Sequence, residues 1–74
     1  MRLKPLPANQ VLKALEKIGF IRIRQKGSHL FLRHPDGRTT VVPNHKGEEI
    51  GRGLLQEIIK DAKLSKEEFL NLLT

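Results

Sequence analysis

Apolar residues recur at helical spacing near the start of the chain. Val11, Leu12, Leu15 and Ile18 fall at i, i+1, i+4 and i+7, with Gln10, Lys13, Glu16 and Lys17 between them. Such a stripe predicts an amphipathic helix over about Ala8 to Ile18. Pro7 suits its entry, where a missing N–H removes no helical bond, and Gly19 suits its end, where chains commonly turn left-handed. From Phe20 the period drops to two: Ile21 and Ile23 alternate with Arg22 and Arg24 as far as Lys26, which predicts a strand. Lys26-Gly27-Ser28 reads as a tight connection, and His29 to Arg33 alternates again. His34-Pro35-Asp36-Gly37 then signals a type I turn with Gly37 at positive φ. Thr39 to Val42, β-branched throughout and ended by Pro43, predicts a third strand. Connections this short make all three strands antiparallel neighbours.

The segment Asn44 to Gly53 carries three glycines and reads as a loop or a loosely formed helix start. Leu54, Leu55, Ile58, Ile59 and Ala62 predict a second helix of roughly Arg52 to Ala62. Ser65-Lys66-Glu67-Glu68 has capping-box spacing ahead of Phe69, Leu70, Leu72 and Leu73, so a short third helix closes the chain. The expected class is α+β, in α-β-β-β-α order with a terminal helical turn, the helices packed on one face of a three-stranded antiparallel sheet. In so small a protein the other face stays wet. The alternation turns Ile21, Ile23, Leu30 and Leu32 toward the helices. Arg22 and Arg24 then join His29, Phe31 and Arg33 on the open face. Val41 and Val42 are both apolar, which leaves the register of the third strand open.

Composition narrows what that face meets. The 74 residues (1–74) suffice for a single small domain without a deep cleft, and the absence of cysteine excludes a disulfide framework, a thiolate zinc site and a cysteine nucleophile. No apolar stretch is long enough for a bilayer and the start, Met1-Arg2-Leu3-Lys4-Pro5, lacks a signal-peptide core, so a cytoplasmic location without membrane contact is expected. Residues 1–47 hold ten Lys or Arg against Glu16 and Asp36, a balance of +8, whereas residues 48–74 hold four basic and six acidic residues, a balance of −2. A segregated positive charge attracts polyanions by counterion release, which makes nucleic acid the first partner to consider.

His29, at the head of a strand, is the best general-base candidate, because imidazole transfers protons near neutrality without strong perturbation. On RNA it could take the proton of a ribose 2′-hydroxyl attacking the adjacent phosphate, while cations stabilise the charge that builds there. Gly27 allows a phosphate close to the backbone and Ser28 offers a hydroxyl. Phe31 either stacks on a base or covers a partly wet sheet face. His29 and His34, five apart, face opposite sides of a regular strand and cannot share a metal; no cofactor or metal is expected. For His45, a structural hydrogen bond and an RNA contact are equally open. Asp36 sits in a turn, so paired-carboxylate chemistry has no support, and no acid is placed to orient a Ser28–His29 triad. The glycines around Glu48 and Glu49 lack the lysine and hydroxyl residue of a P-loop.

The runs Leu15-Glu16-Lys17-Ile18-Gly19-Phe20, Arg24-Gln25-Lys26-Gly27-Ser28-His29, Arg33-His34-Pro35-Asp36-Gly37 and Val42-Pro43-Asn44-His45, continued by Gly53-Leu54-Leu55-Gln56-Glu57-Ile58 and Glu67-Glu68-Phe69-Leu70, together resemble the HicA-type mRNA interferase toxins (YcfA-like family) over nearly the whole chain. The resemblance implies a fold similar to double-stranded RNA-binding domains and a metal-independent ribonuclease that blocks translation by cutting mRNA. The histidine of its Gly-Ser-His motif, His29 here, is then the essential catalytic residue. A HicB antitoxin that masks the active site is the implied partner, and a homodimer or a heterotetramer with that antitoxin is the assembly to consider. Leu54 departs from the pattern, since many relatives carry Thr or Ser there, which leaves the start of the second helix open. The expected RNA-binding set is Arg22, Arg24, Lys26, Gly27, Ser28, Phe31, Arg33 and His45. Two other classes compete: a noncatalytic module reading duplex RNA shape, and a protein-interaction domain whose basic face meets an acidic partner.

Overall fold

The computed structural model describes residues 3–73. Met1 and Arg2, part of the stretch read for a leader, lie outside the described residues. In chain order the elements are β1 (Leu6–Pro7), α1 (Ala8–Lys17), β2 (Ile21–Lys26), β3 (His29–Arg33), β4 (Thr39–Pro43), β5 (Glu49–Ile50), α2 (Arg52–Asp61) and α3 (Lys66–Asn71). The α+β class and the helix–three strands–helix order stand as read from the sequence. β2, β3 and β4 form one antiparallel sheet in that spatial order.

Two-residue strands carry no period to read, so β1 and β5 are not foreseen from the pattern of residues. They pair antiparallel, Leu6 opposite Ile50 and Pro7 opposite Glu49. β5 thus occupies part of the segment expected to be loop, and ties the entry of α1 to the entry of α2. Helix α2 begins at Arg52 after Gly51, with no side-chain cap. Leu54 is exposed there, so the apolar stripe of α2 is narrower than the spacing suggested: Leu55, Ile58, Ile59 and Ala62 carry the burial. In α3 the Ser65 hydroxyl accepts from the Glu68 N–H, and the Glu68 carboxylate accepts from the Ser65 N–H, closing the expected capping box.

The core lies between the helices and one face of the sheet. Val11, Leu12 and Leu15 of α1, Leu30 and Leu32 of β3, Val42 of β4, Leu55 and Ile58 of α2 and Phe69 of α3 are buried together. Each such side chain contributes about 1.5–3 kcal/mol relative to exposure. The register that Val41 and Val42 left open is settled by pairing: Leu30 lies opposite Val42 and Leu32 opposite Thr40, so Val42 and Thr40 face inward. Buried Thr40 donates its hydroxyl to Asp61 Oδ2 at 3.0 Å, which satisfies the polar group and fastens β4 to α2.

The β3–β4 turn has the expected build. Gly37 takes φ 100° and its N–H donates to the His34 carbonyl at 2.9 Å. Arg38 then reaches back: its guanidinium pairs with Asp36, lies over the Phe20 ring and donates to the Ala62 carbonyl at 2.6 Å. One side chain thereby joins the hairpin to the carbonyl end of α2.

β2 departs from simple alternation. A bulge lies between Arg22 and Arg24, so that Arg22 sits opposite Leu32 and Arg24 opposite Phe31. Ile21 and Ile23, expected to point at the helices, are 55% and 49% exposed. Arg22, expected on the open face, shares the helix side with Leu32 and donates to Glu16 of α1 at 3.0 Å. A regular ladder running back from the Lys26–His29 pair would have set Arg22 against Arg33, two like charges on one face. Inserting one residue removes that repulsion, sets Ile21 against Arg33 and gives Arg22 a carboxylate.

Candidate functional site

The outer face of the sheet is built from alternate positions whose neighbours are buried. On β3, Leu30 and Leu32 face the core, which turns His29, Phe31 and Arg33 outward; His29 and Arg33 are exposed and Phe31 is half-buried. β2 brings Lys26 opposite His29 and Arg24 opposite Phe31. β4 brings Val41 opposite Phe31 and Pro43 opposite His29. The outward half of the expected site therefore assembles: Arg24, Lys26, His29, Phe31 and Arg33 share one surface. Arg22 does not join them. Ile23, displaced by the bulge, borders with Arg24, Phe31, Arg33 and Val41 a shallow hollow of about 600 Å³.

Phe31 and Arg24 are not independent groups. The Arg24 guanidinium lies 4.9 Å from the centre of the Phe31 ring, so a cation covers the aromatic face. An Arg on an aromatic ring keeps its donors pointing outward along its plane, an arrangement that presents both charge and a flat surface.

The tight connection between β2 and β3 is a two-residue turn, Gly27-Ser28, closed by the Lys26–His29 pair. Gly27 takes φ 60°, a conformation that costs glycine little, and a side chain there would meet open space. The backbone at Gly27 is thus accessible to an approaching group. Ser28 turns to a partner that sequence spacing did not suggest: its Oγ lies 3.0 Å from Nε2 of His45. The bond follows from β4 running on past Pro43, where the Asn44 N–H donates to the Ser28 carbonyl at 2.6 Å. Of the two readings left open for His45, the hydrogen bond is present. The only trace of it in the sequence is that His45 follows the third strand by two residues, at the end where the first turn lies.

His34 has a different task. Its Nε2 is 2.7 Å from the Ile18 carbonyl, which can only accept, so Nε2 carries a proton; Nδ1 lies 3.1 Å from the Asp36 N–H, from which it accepts when the ring is neutral, and 2.9 Å from Asp36 Oδ1, to which it donates when the ring is charged. The ring also packs edge-on against Phe20. It is half-buried and engaged at both nitrogens, whereas His29 is exposed. Among the described residues no three His, Asp or Glu side chains gather as metal ligands, and no helix is long and apolar enough to cross a membrane.

Comparison with known proteins gives the surface its context. No curated protein matches the chain. A family model described as the HicA toxin of bacterial toxin-antitoxin systems matches residues 8–64, which span α1, the whole sheet, α2 and the Gly27-Ser28-His29 turn. With most of its length and every element around the outer face inside that match, the chain belongs to the HicA toxin family, the toxin half of a toxin-antitoxin pair.

Proposed function

We propose that the chain is an mRNA interferase: it binds mRNA on the outer sheet face and cleaves it by metal-independent chemistry centred on His29, so blocking translation. The observation that carries this reading is the exposed His29 set directly opposite Lys26, on the same face of the sheet as Arg24 and, at the far end of β3, Arg33. Membership of the HicA toxin family supports it. In this reading His29 takes the 2′-hydroxyl proton, the 2′-oxygen attacks the adjacent phosphorus, and Lys26, Arg24 and Arg33 hold the phosphate backbone. Gly27 lets the phosphate approach, Phe31 with Arg24 offers a stacking surface, and Ser28 and His45 contact the same backbone from the turn. Arg22 contributes only long-range attraction, being turned to Glu16. DNA, without the 2′-hydroxyl, is spared.

The partner is a HicB-type antitoxin that covers this face, and the protein acts in the cytoplasm as a single domain. The test is incubation of the purified chain with structured and unstructured RNA in the presence of a chelator, wild type against His29→Ala. Cleavage by the wild type alone is expected. Salt-sensitive RNA binding without cleavage by either form would replace this reading with a noncatalytic duplex-binding module, and binding to an acidic protein alone would replace it with an interaction domain.

A further inference from the structure

Transfer of the 2′-oxygen to phosphorus expels an alkoxide, the 5′-oxygen, which leaves poorly unless it is protonated. His29 accepts a proton in that step and cannot supply this one. Of the three histidines, His34 is committed at both nitrogens to the Ile18 carbonyl and the Asp36 N–H. His45 is the remaining imidazole, and it is bonded to the residue immediately before His29.

The geometry points to a proton relay from His45 through Ser28 to the leaving oxygen, an inference that rests on the ribonuclease reading above. Three features place the pair. The Gly27-Ser28 turn puts Ser28 one peptide unit from His29, about 3.8 Å between Cα atoms. The Asn44 N–H to Ser28 carbonyl bond holds the chain after β4 against that turn, and His45 Nε2 then lies 3.0 Å from Ser28 Oγ. His29 opens β3 on the outer face, whereas Ser28 lies in the turn with its hydroxyl held by His45, so the two groups can meet a phosphate seated at the turn from different directions. An in-line displacement needs that division, because the attacking and leaving oxygens lie on opposite sides of phosphorus. A serine hydroxyl both donates and accepts, so Oγ can release its proton outward while receiving another from Nε2.

In the step itself, a ring nitrogen of His29 takes the 2′-hydroxyl proton and the 2′-oxygen forms its bond to phosphorus. The bond from phosphorus to the 5′-oxygen breaks with its electron pair. That oxygen takes the Ser28 Oγ proton, and Oγ takes the Nε2 proton of His45. The products are a 2′,3′-cyclic phosphate and a 5′-hydroxyl, with His29 left protonated and His45 neutral. Ser28 is the group that donates to the leaving oxygen; His45 acts in this step through Ser28, by restoring its proton.

The test uses two RNAs, one natural and one with sulfur replacing the 5′-oxygen at a bond the wild type cuts. A thiolate leaves without a proton. On natural RNA, Ser28→Ala and His45→Ala should each slow cleavage by about 10²- to 10⁴-fold, the usual contribution of a general acid. On the sulfur-containing RNA most of that loss should vanish when single-turnover rates are compared at saturating RNA, where a lost backbone contact no longer counts, while His29→Ala stays inactive on both. Equal losses on the two RNAs, or full activity of either variant on natural RNA, would overturn the relay. Ser28→Ala leaves the imidazole in place, so the two variants check each other should His45→Ala perturb the fold. Failure of the wild type to cut either RNA would instead remove the ribonuclease reading on which the relay rests.

Discussion

Nε2 of His34 donates to the carbonyl of Ile18 at 2.7 Å, and a Cβ at the next residue, Gly19, would lie 2.9 Å from that same nitrogen. The turn after α1 and the β3–β4 hairpin are therefore fitted to each other at one point. Gly19 also takes φ 105°, which side chains adopt only with strain. Gly19→Ala should lower stability by about 1–3 kcal/mol from the backbone alone, with more lost as His34 is displaced. A urea unfolding midpoint equal to that of the wild type would show that the two segments are not locked together.

The bulge in β2 makes opposite predictions for apolar residues that alternation treats alike. Ile21→Thr and Ile23→Thr act at exposed positions and should change stability by no more than about 0.5 kcal/mol. Leu32→Ala, at a position 1% exposed, should cost about 2–5 kcal/mol. Thermal or denaturant unfolding of the three variants decides it: a loss for Ile23→Thr approaching that for Leu32→Ala would mean that Ile23 packs inward.

The same bulge separates two neighbouring arginines in function. Arg24 shares the outer face with Phe31, whereas Arg22 is held by Glu16. Replacing Arg24 by Ala should weaken RNA binding and reduce the slope of log affinity against log salt by about 1, as expected when a single phosphate contact is lost. Arg22→Ala should leave that slope nearly unchanged. Fluorescence anisotropy at several salt concentrations measures both, and equal slopes for the two variants would contradict the proposed surface.

Acid should loosen the two carboxylate-held turns. Hydrogen bonds from the Arg38 side chain hold the Asp36 carboxyl below its ordinary pKa, assisted by the Arg38 N–H and the charges of Arg38 and His34. The Ser65 N–H, with the Ser65 hydroxyl, does the same for Glu68. A carboxyl that titrates lower when folded leaves the unfolded chain binding more protons over that interval, so stability rises with pH there. The contribution is present above the ordinary carboxylate range, about 4, and is lost as pH falls through the depressed folded values. Asp36→Asn and Glu68→Gln should each flatten the fall in melting temperature below about pH 4. An unchanged acid limb in the double variant would assign the effect to other groups.

Local pattern determined the elements that carry a clear period or a cap. The α1 stripe, the Pro-Asp-Gly turn, the capping box at Ser65 and the alternation of β3 each follow from residues close in sequence, and His29 was legible because the Leu30 and Leu32 positions fix which way it turns. What the tertiary structure decided involves partners distant along the chain. The bulge exists because Arg22 would otherwise face Arg33 and instead reaches Glu16 on a helix, a choice no run of six residues reveals. β1 and β5 are too short to have a period and exist only as each other's hydrogen-bonding partner. The Ser28–His45 contact is of the same kind: two side chains 17 positions apart meet because β4 overshoots the hairpin turn beside it. Backbone sterics and hydrophobic spacing act over a few residues, whereas charge pairing and side-chain hydrogen bonds act across the fold, and the latter set the details of the outer face.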